Sequence, residues 1–240
     1  MQSILNIPLR ALELLRERDI PATLWLGLRK FASPIAEIGI VHFFECDLRA
    51  GLPTVRPIPG IIAREAFLSD IQLLDGTENA SERKADAIER FRNGDRWFVG
   101  IDAANGKLTN YRWVASAPTL IPELRSNIVP GPGEVFVYAL YTVPEYRRKG
   151  IDSFTRHYTY DLLHRTSGVN KVIATIFAGN YASFKASRQF LKEIGRVWYA
   201  TIRGRRTRLF IWPNPRMPIL APVSSGACTQ YGSRRCASES

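Results

Sequence analysis

A short basic turn between a predicted strand and a predicted helix holds the residues of this sequence best suited to binding an anion. Arg147, Arg148 and Lys149 stand directly before Gly150, and a helical pattern runs from there to Ser167. The first amide groups of a helix have no partner within the helix, so they can donate hydrogen bonds to a phosphate. Gly150 lets a ligand approach the backbone closely, because glycine has no side chain. The spacing therefore predicts a phosphate-binding site.

The positive charge of the chain is concentrated around this turn. The formal net charge is +11, and residues 144–212 carry 14 lysines and arginines against four acidic side chains. Such an excess favours an anionic partner, which is a nucleotide cofactor, a nucleic acid or an acidic membrane surface. A basic face that meets only solvent is the alternative that charge alone leaves open.

Length, composition and cysteine content restrict the classes to which this protein can belong. A chain of 240 residues with 45% hydrophobic composition suits one α/β domain with extensions. It has no run of roughly 18 uncharged apolar residues, so no transmembrane helix is predicted. The first residues resemble neither a secretory signal nor a transit peptide, and we expect a cytoplasmic protein. Cys46, Cys228 and Cys236 lack the spacing of metal ligands, so no metal site is expected.

The chain divides into three predicted segments. Residues 1–37 have the pattern of two short amphipathic helices, which we expect to pack on the domain, with peripheral contact to a membrane as the alternative. Residues 38–213 form the predicted α/β domain. Residues 214–240 have turn-like composition without a hydrophobic period, which predicts a disordered tail.

The first half of the domain is predicted to contain strands, one helix and a long loop. Ile38 to Cys46 has the composition of a strand, and Asn79 to Glu82 is a capping-box pattern that begins a helix. Asn105-Gly106 predicts a tight hairpin, in which both residues take positive φ. Ala117 to Gly133 contains four prolines, which indicates a loop.

The second half alternates buried strands with helices. Its predicted elements are a central strand at Glu134 to Val143, a helix at Gly150 to Ser167, a strand at Lys171 to Phe177, a helix at Tyr181 to Ile194 and a β-hairpin at Val197 to Trp212. The basic turn therefore joins the central strand to the first of these helices.

Two short motifs lie at the ends of these strands. The central strand ends in Thr142-Val143-Pro144-Glu145-Tyr146, followed by Arg147-x-x-Gly150-x-Asp152, and the next strand ends in Ala178-Gly179-Asn180 with Ser183 three residues on. The first motif resembles the pyrophosphate-binding signature Arg/Gln-x-x-Gly-x-Gly/Ala of the GNAT superfamily of N-acetyltransferases. The second is similar to that family's Asn-x-x-Ala/Ser segment. The resemblance in element order extends from about Arg96 to Trp212.

The resemblance implies a fold and a cofactor. The expected fold is α/β, with the mixed, mostly antiparallel central sheet and flanking helices of the GNAT type. The expected cofactor is acetyl-CoA or another acyl-CoA. The residues expected to bind it are Thr142, Val143, Arg147, Arg148, Lys149, Gly150, Ile151, Asp152, Ser153 and Asn180.

This sequence departs from the family pattern at three positions. Asp152 replaces a small residue, so either its carboxylate lies near the pyrophosphate or it caps the following helix. Ser187 stands where the family often has a tyrosine that acts as general acid. Gly195 comes about one helical turn later than the glycine that usually ends this helix.

The chemistry implied by the resemblance is direct transfer of an acyl group to a neutral amine. Glu134 is the predicted base, because it shares a strand face with the positions where related enzymes carry a carboxylate; an exposed glutamate at a strand start is the alternative. Tyr141, Tyr181 and Ser187 are the candidate donors of a proton to the departing thiolate. The amine acceptor is a small molecule or a protein.

Two other functions remain open on the same fold. The apolar helices of residues 1–37 would suit a long-chain N-acyl amino acid synthase, in which they line an acyl channel. The second open function is that of a non-catalytic or RNA-associated domain. It is suggested by Arg203, Arg205 and Arg206, which lie close in sequence to Trp198 and Trp212. No RNA-binding signature accompanies them, so a solvated hairpin without specific nucleic-acid binding is expected. A homodimer is also left open.

Overall fold

The computed structural model describes residues 36–202, 208–211 and 217–222. Its strands are β1 (Ala36–Asp47), β2 (Ile61–Ala66), β3 (Arg96–Asp102), β4 (Leu108–Ala115), β5 (Thr119–Ile121), β6 (Ser126–Val129), β7 (Glu134–Thr142), β8 (Lys171–Phe177), β9 (Lys192–Ile202), β10 (Arg208–Ile211) and β11 (Ile219–Pro222). Its helices are α1 (Ala80–Arg92), α2 (Ile151–Ser167) and α3 (Tyr181–Ser187). The helices predicted within residues 1–35 and the hairpin turn at Arg203 to Arg206 lie outside the described residues.

Eight strands form one sheet in the order β10-β9-β1-β8-β7-β4-β3-β2. Neighbouring strands run antiparallel, except that β7 and β8 are parallel. This mixed, mostly antiparallel sheet with flanking helices confirms the predicted fold class. No described helix is both long and apolar enough to cross a bilayer.

The two faces of the sheet are covered differently. On one face, α2 packs Tyr160 and Leu163 against strand residues such as Phe98 and Val137. On the other face, α1 covers β3 and β4 at one end, where Trp97 and Trp113 stack with ring centroids 5.6 Å apart. Apolar side chains alternate along these strands, so each strand contributes to both cores.

A small second sheet, in the order β11-β6-β5, corrects two predictions. The segment Ala117 to Gly133 is a hairpin rather than a loop, and Ile219–Pro222 is an ordered strand within the predicted disordered tail. Ile128 of this sheet is fully buried, in a cluster that includes Phe136 of β7 and the partly buried Leu220. Strands of three or four residues are too short to produce a recognisable alternation in the sequence.

Three local predictions also differ from the structure. The helix predicted to run to Ile194 ends at Ser187, and Gly195 lies in β9, where an added Cβ would collide with the side chain of Met217. Asn79 adopts a left-handed conformation and its side chain makes no capping hydrogen bond. Of Asn105 and Gly106, only Gly106 has positive φ, since the connection between β3 and β4 is longer than two residues.

Candidate active site

The parallel strands β7 and β8 separate partway along their length. Their register pairs run from Glu134 with Lys171 to Val137 with Ala174, whereas β7 continues to Thr142. On its other side, β7 stays paired with β4 as far as Thr142. The second half of β7 therefore borders an opening in the sheet, with backbone groups that β8 does not pair in the described strands.

A β-bulge lies at the start of this opening. Tyr138 pairs with Trp113 and Tyr141 pairs with Tyr111, so Ala139 and Leu140 together lie opposite the single residue between those partners. Ala139 has φ of +47°, a conformation that costs a non-glycine residue about 1 kcal/mol or more. Leu140 is 43% exposed. Strain of this kind is concentrated at functional sites, and here it redirects the backbone at the edge of the gap.

The predicted anion-binding turn follows β7 and opens onto the first turn of α2. Arg148 and Gly150 have φ of +63° and +76°. The first helical hydrogen bond runs from Phe154 N to Gly150 O at 3.1 Å. The amide groups from Gly150 to Ser153 therefore have no intrahelical partner. An added Cβ on Gly150 would meet only Ile58 Cδ1, at 3.7 Å, so the space beside this glycine is open.

The three cations of the turn have different surroundings. Arg147 Nε donates to Thr142 O at 3.0 Å, which ties the turn to the end of β7. Lys149 Nζ lies 5.2 Å from the ring centroid of Tyr146, whose hydroxyl donates to Asp102 Oδ2 at 2.8 Å. Arg148 is exposed and has no side-chain partner among the described residues, so its charge is available to a ligand.

The remaining predicted coenzyme residues hold the turn in place. Val143 N donates to Thr109 O at 2.9 Å, and Ile151, the first residue of α2, is buried. Ser153 Oγ accepts a hydrogen bond from Gln189 Nε2 at 2.9 Å. Asn180 Oδ1 accepts from Ser183 N at 3.2 Å, which caps α3. These contacts fix the ends of both helices next to the opening.

Asp152 does not cap α2, which corrects one of the two sequence-based alternatives, and its carboxylate lies in the first turn of this helix, paired with two arginines. Gly150 is the N-cap residue, and the Asp152 carboxylate accepts from Arg112 Nη2 at 2.9 Å and from Arg156 Nη2 at 2.7 Å. Burial alone would raise the pKa of Asp152, but the two guanidinium groups outweigh it and lower the pKa. The cluster carries two positive charges against one negative charge, so the Asp152 carboxylate does not repel an anion at the turn.

Sequence reasoning missed the two arginines of this cluster. Arg112 is fully buried on β4 and also donates from Nη2 to Thr155 Oγ1 at 2.8 Å. Its Nε and Nη1 atoms have no partner in the described part of the chain. The spacing of Asp152 and Arg156, four residues apart on a helix, was a usable signal for an ion pair. Arg112 gave no comparable signal, since its partners come from a helix 40 residues away.

Ser187 belongs to the same buried cluster, which contradicts its prediction as proton donor. It is 3% exposed, and its Oγ accepts a hydrogen bond from Arg156 Nη1 at 2.9 Å. The hydroxyl therefore joins α3 to α2 instead of meeting solvent or substrate. Tyr181, the first residue of α3, is partly buried, and its catalytic role stays a prediction.

Glu134 lies at the wrong end of β7 for the predicted base. It is five residues before Ala139, which in a strand is about 16 Å. Its carboxylate accepts from Gly131 N at 3.0 Å and pairs with Lys171 Nζ at 2.7 Å. Burial would raise the pKa of Glu134, but the Lys171 and Gly131 contacts outweigh it and lower the pKa. These contacts hold Glu134 at the closed end of the strand pair, away from the opening.

A cavity of about 210 Å³ lies on the α1 face of the bulge. It is lined by Leu74, Arg83, Asp86, Arg90, Tyr111, Trp113, Ala139 and Leu140. Tyr141 is next to it: its ring is tilted against that of Tyr111, with centroids 5.6 Å apart, and the Arg83 guanidinium lies 4.1 Å from the Tyr141 centroid. Tyr141 Oη is buried and has no hydrogen-bond partner among the described residues. Sequence reasoning found Tyr141 but not the lining residues from α1.

Comparisons with known proteins identify the fold. No protein-family model and no curated protein matches this chain. A conserved protein of unknown function from Staphylococcus epidermidis superposes with a TM-score of 0.50 at 14% identity, over 72% of this chain and 64% of that one.

Two further solved structures are described as GCN5-related acetyltransferases. A glucosamine N-acetyltransferase region of a fungal multi-domain β-N-acetylglucosaminidase matches with a TM-score of 0.50 at 14% identity, over 72% of this chain and 22% of that one. A GCN5-related N-acetyltransferase from Kribbella flavida matches with a TM-score of 0.49 at 10% identity, over 73% and 63% of the two chains. Together with the split strand pair and the turn before α2, the match to the glucosamine N-acetyltransferase region shows that the chain has the GNAT fold.

Proposed function

We propose that this protein is an acyl-CoA-dependent N-acyltransferase that transfers its acyl group directly to an amine. The observation on which the proposal depends is that a bulge beside an opening and a turn with free amide groups follow each other along β7. The bulge at Ala139 borders the opening between β7 and β8, and the same strand leads into the turn where α2 presents its free amide groups. A thioester whose phosphate groups bind at this turn would lie beside the opening.

The residues at the turn suit the pyrophosphate of a coenzyme. The amide groups from Gly150 to Ser153 supply donors, Arg148 supplies an uncompensated charge, and the space beside Gly150 is open. Thr142, Arg147 and Lys149 brace this backbone through the contacts described above. When bound, the coenzyme supplies an acyl group activated as a thioester. The protein's part is to hold it and to exclude water from its reactive end.

The cavity beside the bulge is the proposed position of the acceptor amine. Attack by the amine nitrogen forms the C–N bond and breaks the C–S bond, and the electron pair of that bond leaves with the thiolate. Strand backbone amides near the bulge can stabilise the developing oxyanion. The amine loses one proton, and Asp86 is the carboxylate among the residues that line the cavity, so we assign the role of base to it.

The protein does not need to supply a strong acid to protonate the departing thiolate. A free thiol has a pKa of roughly 8.5, so much of the leaving group can depart as thiolate near neutral pH. Tyr141, whose buried hydroxyl has no partner in the described residues, is the proposed donor next to the bulge. Tyr181 and water are the other sources, and replacing each tyrosine by phenylalanine separates them.

Native mass spectrometry with acyl-CoAs of increasing chain length tests the proposal and the acyl preference together. We expect one acyl-CoA bound per chain, with acetyl-CoA retained, and transfer to an amine detected by release of free thiol. Arg148→Ala should weaken binding, whereas Arg92→Ala, the same change at an exposed position of α1, should not. Absence of binding across the whole series would refute the proposal, and preference for long chains would assign the enzyme to the long-chain type.

A further inference from the structure

We propose that the acceptor carries a carboxylate within a few bonds of its amine, as a free amino acid does, and that Arg83 binds this carboxylate. The inference rests on the proposed function, because it assigns the acceptor of that same site. It starts from the cavity of about 210 Å³ between α1 and the bulge. Nothing in the comparisons assigns this cavity a ligand.

Arg83 is held rigidly by neutral groups. Its Nε donates to Glu78 O at 2.7 Å, and its Nη1 donates to the Tyr111 hydroxyl. Its guanidinium also lies over the Tyr141 ring, 4.1 Å from the centroid. A guanidinium fixed in this way loses little conformational entropy when it binds a ligand.

Arg83 also has no acidic partner in the described part of the chain. By contrast, other half-buried or buried arginines have a carboxylate at short range: Arg64 with Asp70 at 2.8 Å, Arg96 with Glu65 at 2.7 Å and Arg112 with Asp152 at 2.9 Å. A partly buried charge without a counterion is unfavourable unless a ligand supplies one. The missing counterion at Arg83 points to an anionic ligand.

The charge balance of the cavity supports the same conclusion. The residues that line it include two positive charges, Arg83 and Arg90, and one negative charge, Asp86. Arg90 Nη2 lies 3.6 Å from Asp86 Oδ2, which is long for an ion pair. Asp95 accepts a hydrogen bond from Tyr138 and interacts electrostatically with Arg90, so the charge left without a carboxylate partner is that of Arg83. A bound carboxylate would neutralise the excess.

The position of Arg83 relative to the bulge limits the distance between the two groups of the acceptor. Arg83 and Ala139 line the same small cavity, so a carboxylate at Arg83 leaves only a few bonds to an amine at the bulge. A carboxylate, which matches the fork of a guanidinium, fits this geometry. The aromatic walls formed by Tyr111 and Trp113 suit an apolar side chain.

Binding of product-like probes to the full chain tests the inference without relying on turnover. The probes are N-acetyl derivatives of glycine, leucine, phenylalanine and glutamate, each as the free acid and as the α-carboxamide, titrated by calorimetry. We expect at least one acid to bind about tenfold or more tightly than its amide, as for a charge-assisted hydrogen bond. Arg83→Gln should remove this difference and Arg83→Lys should keep part of it, while Arg92→Gln should preserve it.

The outcomes separate this inference from the proposed function. Acyl transfer from acetyl-CoA to amino acid amides as readily as to amino acids would overturn the inference and leave the function standing. Selective acid binding that depends on Arg83, without any acetyl-CoA binding, would support the carboxylate site and refute the acyltransferase. Equal binding of acids and amides, or no binding of either by correctly folded protein, would also overturn the inference. Melting curves of each variant establish folding.

Discussion

Removal of the Asp152 carboxylate should destabilise the domain far more than removal of a comparable surface carboxylate. Asp152 lies between Arg112 and Arg156, which are 0% and 3% exposed at their side chains. Asp152→Ala would leave both guanidinium groups buried without a counterion. Breaking a buried ion pair from one side typically costs about 3–5 kcal/mol. For a domain of this size, that loss corresponds to a fall in Tm of roughly 6–20 °C.

The matched control is Asp161→Ala on the same helix. Asp161 pairs with Arg165, but both side chains are exposed, at 38% and 66%. Exposed pairs contribute about 0–1 kcal/mol, so this variant should melt almost like the parent protein. Urea denaturation of both variants gives the two free energies of unfolding directly. Equal losses would refute the conclusion that the Asp152 cluster is a buried, strongly coupled group.

The same cluster predicts how stability depends on pH. The pKa of Asp152 is lowered in the folded protein, so the unfolded chain takes up a proton at a higher pH than the folded one. The stabilisation is therefore complete above the unfolded value of roughly 3.9 and is lost as pH falls towards the folded pKa. Asp152→Ala should remove this part of the acid dependence.

Further predictions concern the base, the proton donor and the second sheet. Glu134→Gln should leave kcat nearly unchanged, whereas Asp86→Asn should lower it by about 10²- to 10⁴-fold; the reverse order in a steady-state assay would restore Glu134 as base. Tyr141→Phe should slow transfer with little change in acyl-CoA affinity, and an unchanged rate would indicate that Tyr181 or water protonates the thiolate. Truncation after Asn214 should lower the free energy of unfolding by about 2 kcal/mol, because it removes β11 from Ile128. Truncation after Val223 keeps β11 and should not lower it, so equal melting temperatures of the two truncated proteins would contradict this prediction.

The sequence predicted those parts of the fold that depend on local patterns. The apolar run of β8 and the helical period of α2 are bounded by turn residues, and both elements lie where they were expected. The basic turn lies between β7 and α2 as predicted for the same reason, because a basic glycine turn between a strand and a helix is a contiguous feature; its binding of an anion stays a prediction. Short strands such as β5 and β11 carry too few residues to show a period.

The parts of the site that were missed depend on long-range packing. Arg112 acquires its role only when α2 docks on β4, and Arg83 only when α1 covers the bulge. The bulge at Ala139 is invisible in the sequence, since it arises from the register between β7 and β4. The error at Glu134 has the same origin, because sharing a strand face does not place a residue near the opening.

The most direct test of the acyltransferase proposal compares two glycines at opposite ends of α2. Gly150 and Gly168 have positive φ, +76° and +63°, and an added Cβ would meet only Ile58 Cδ1, at 3.7 Å, at Gly150 and nothing within 4 Å at Gly168. Gly150→Trp and Gly168→Trp should therefore cost similar backbone strain. Only Gly150 lies at the proposed pyrophosphate site, so calorimetry with acetyl-CoA should show binding to the parent protein and to Gly168→Trp but none to Gly150→Trp. Unchanged affinity in Gly150→Trp would contradict the proposed coenzyme site.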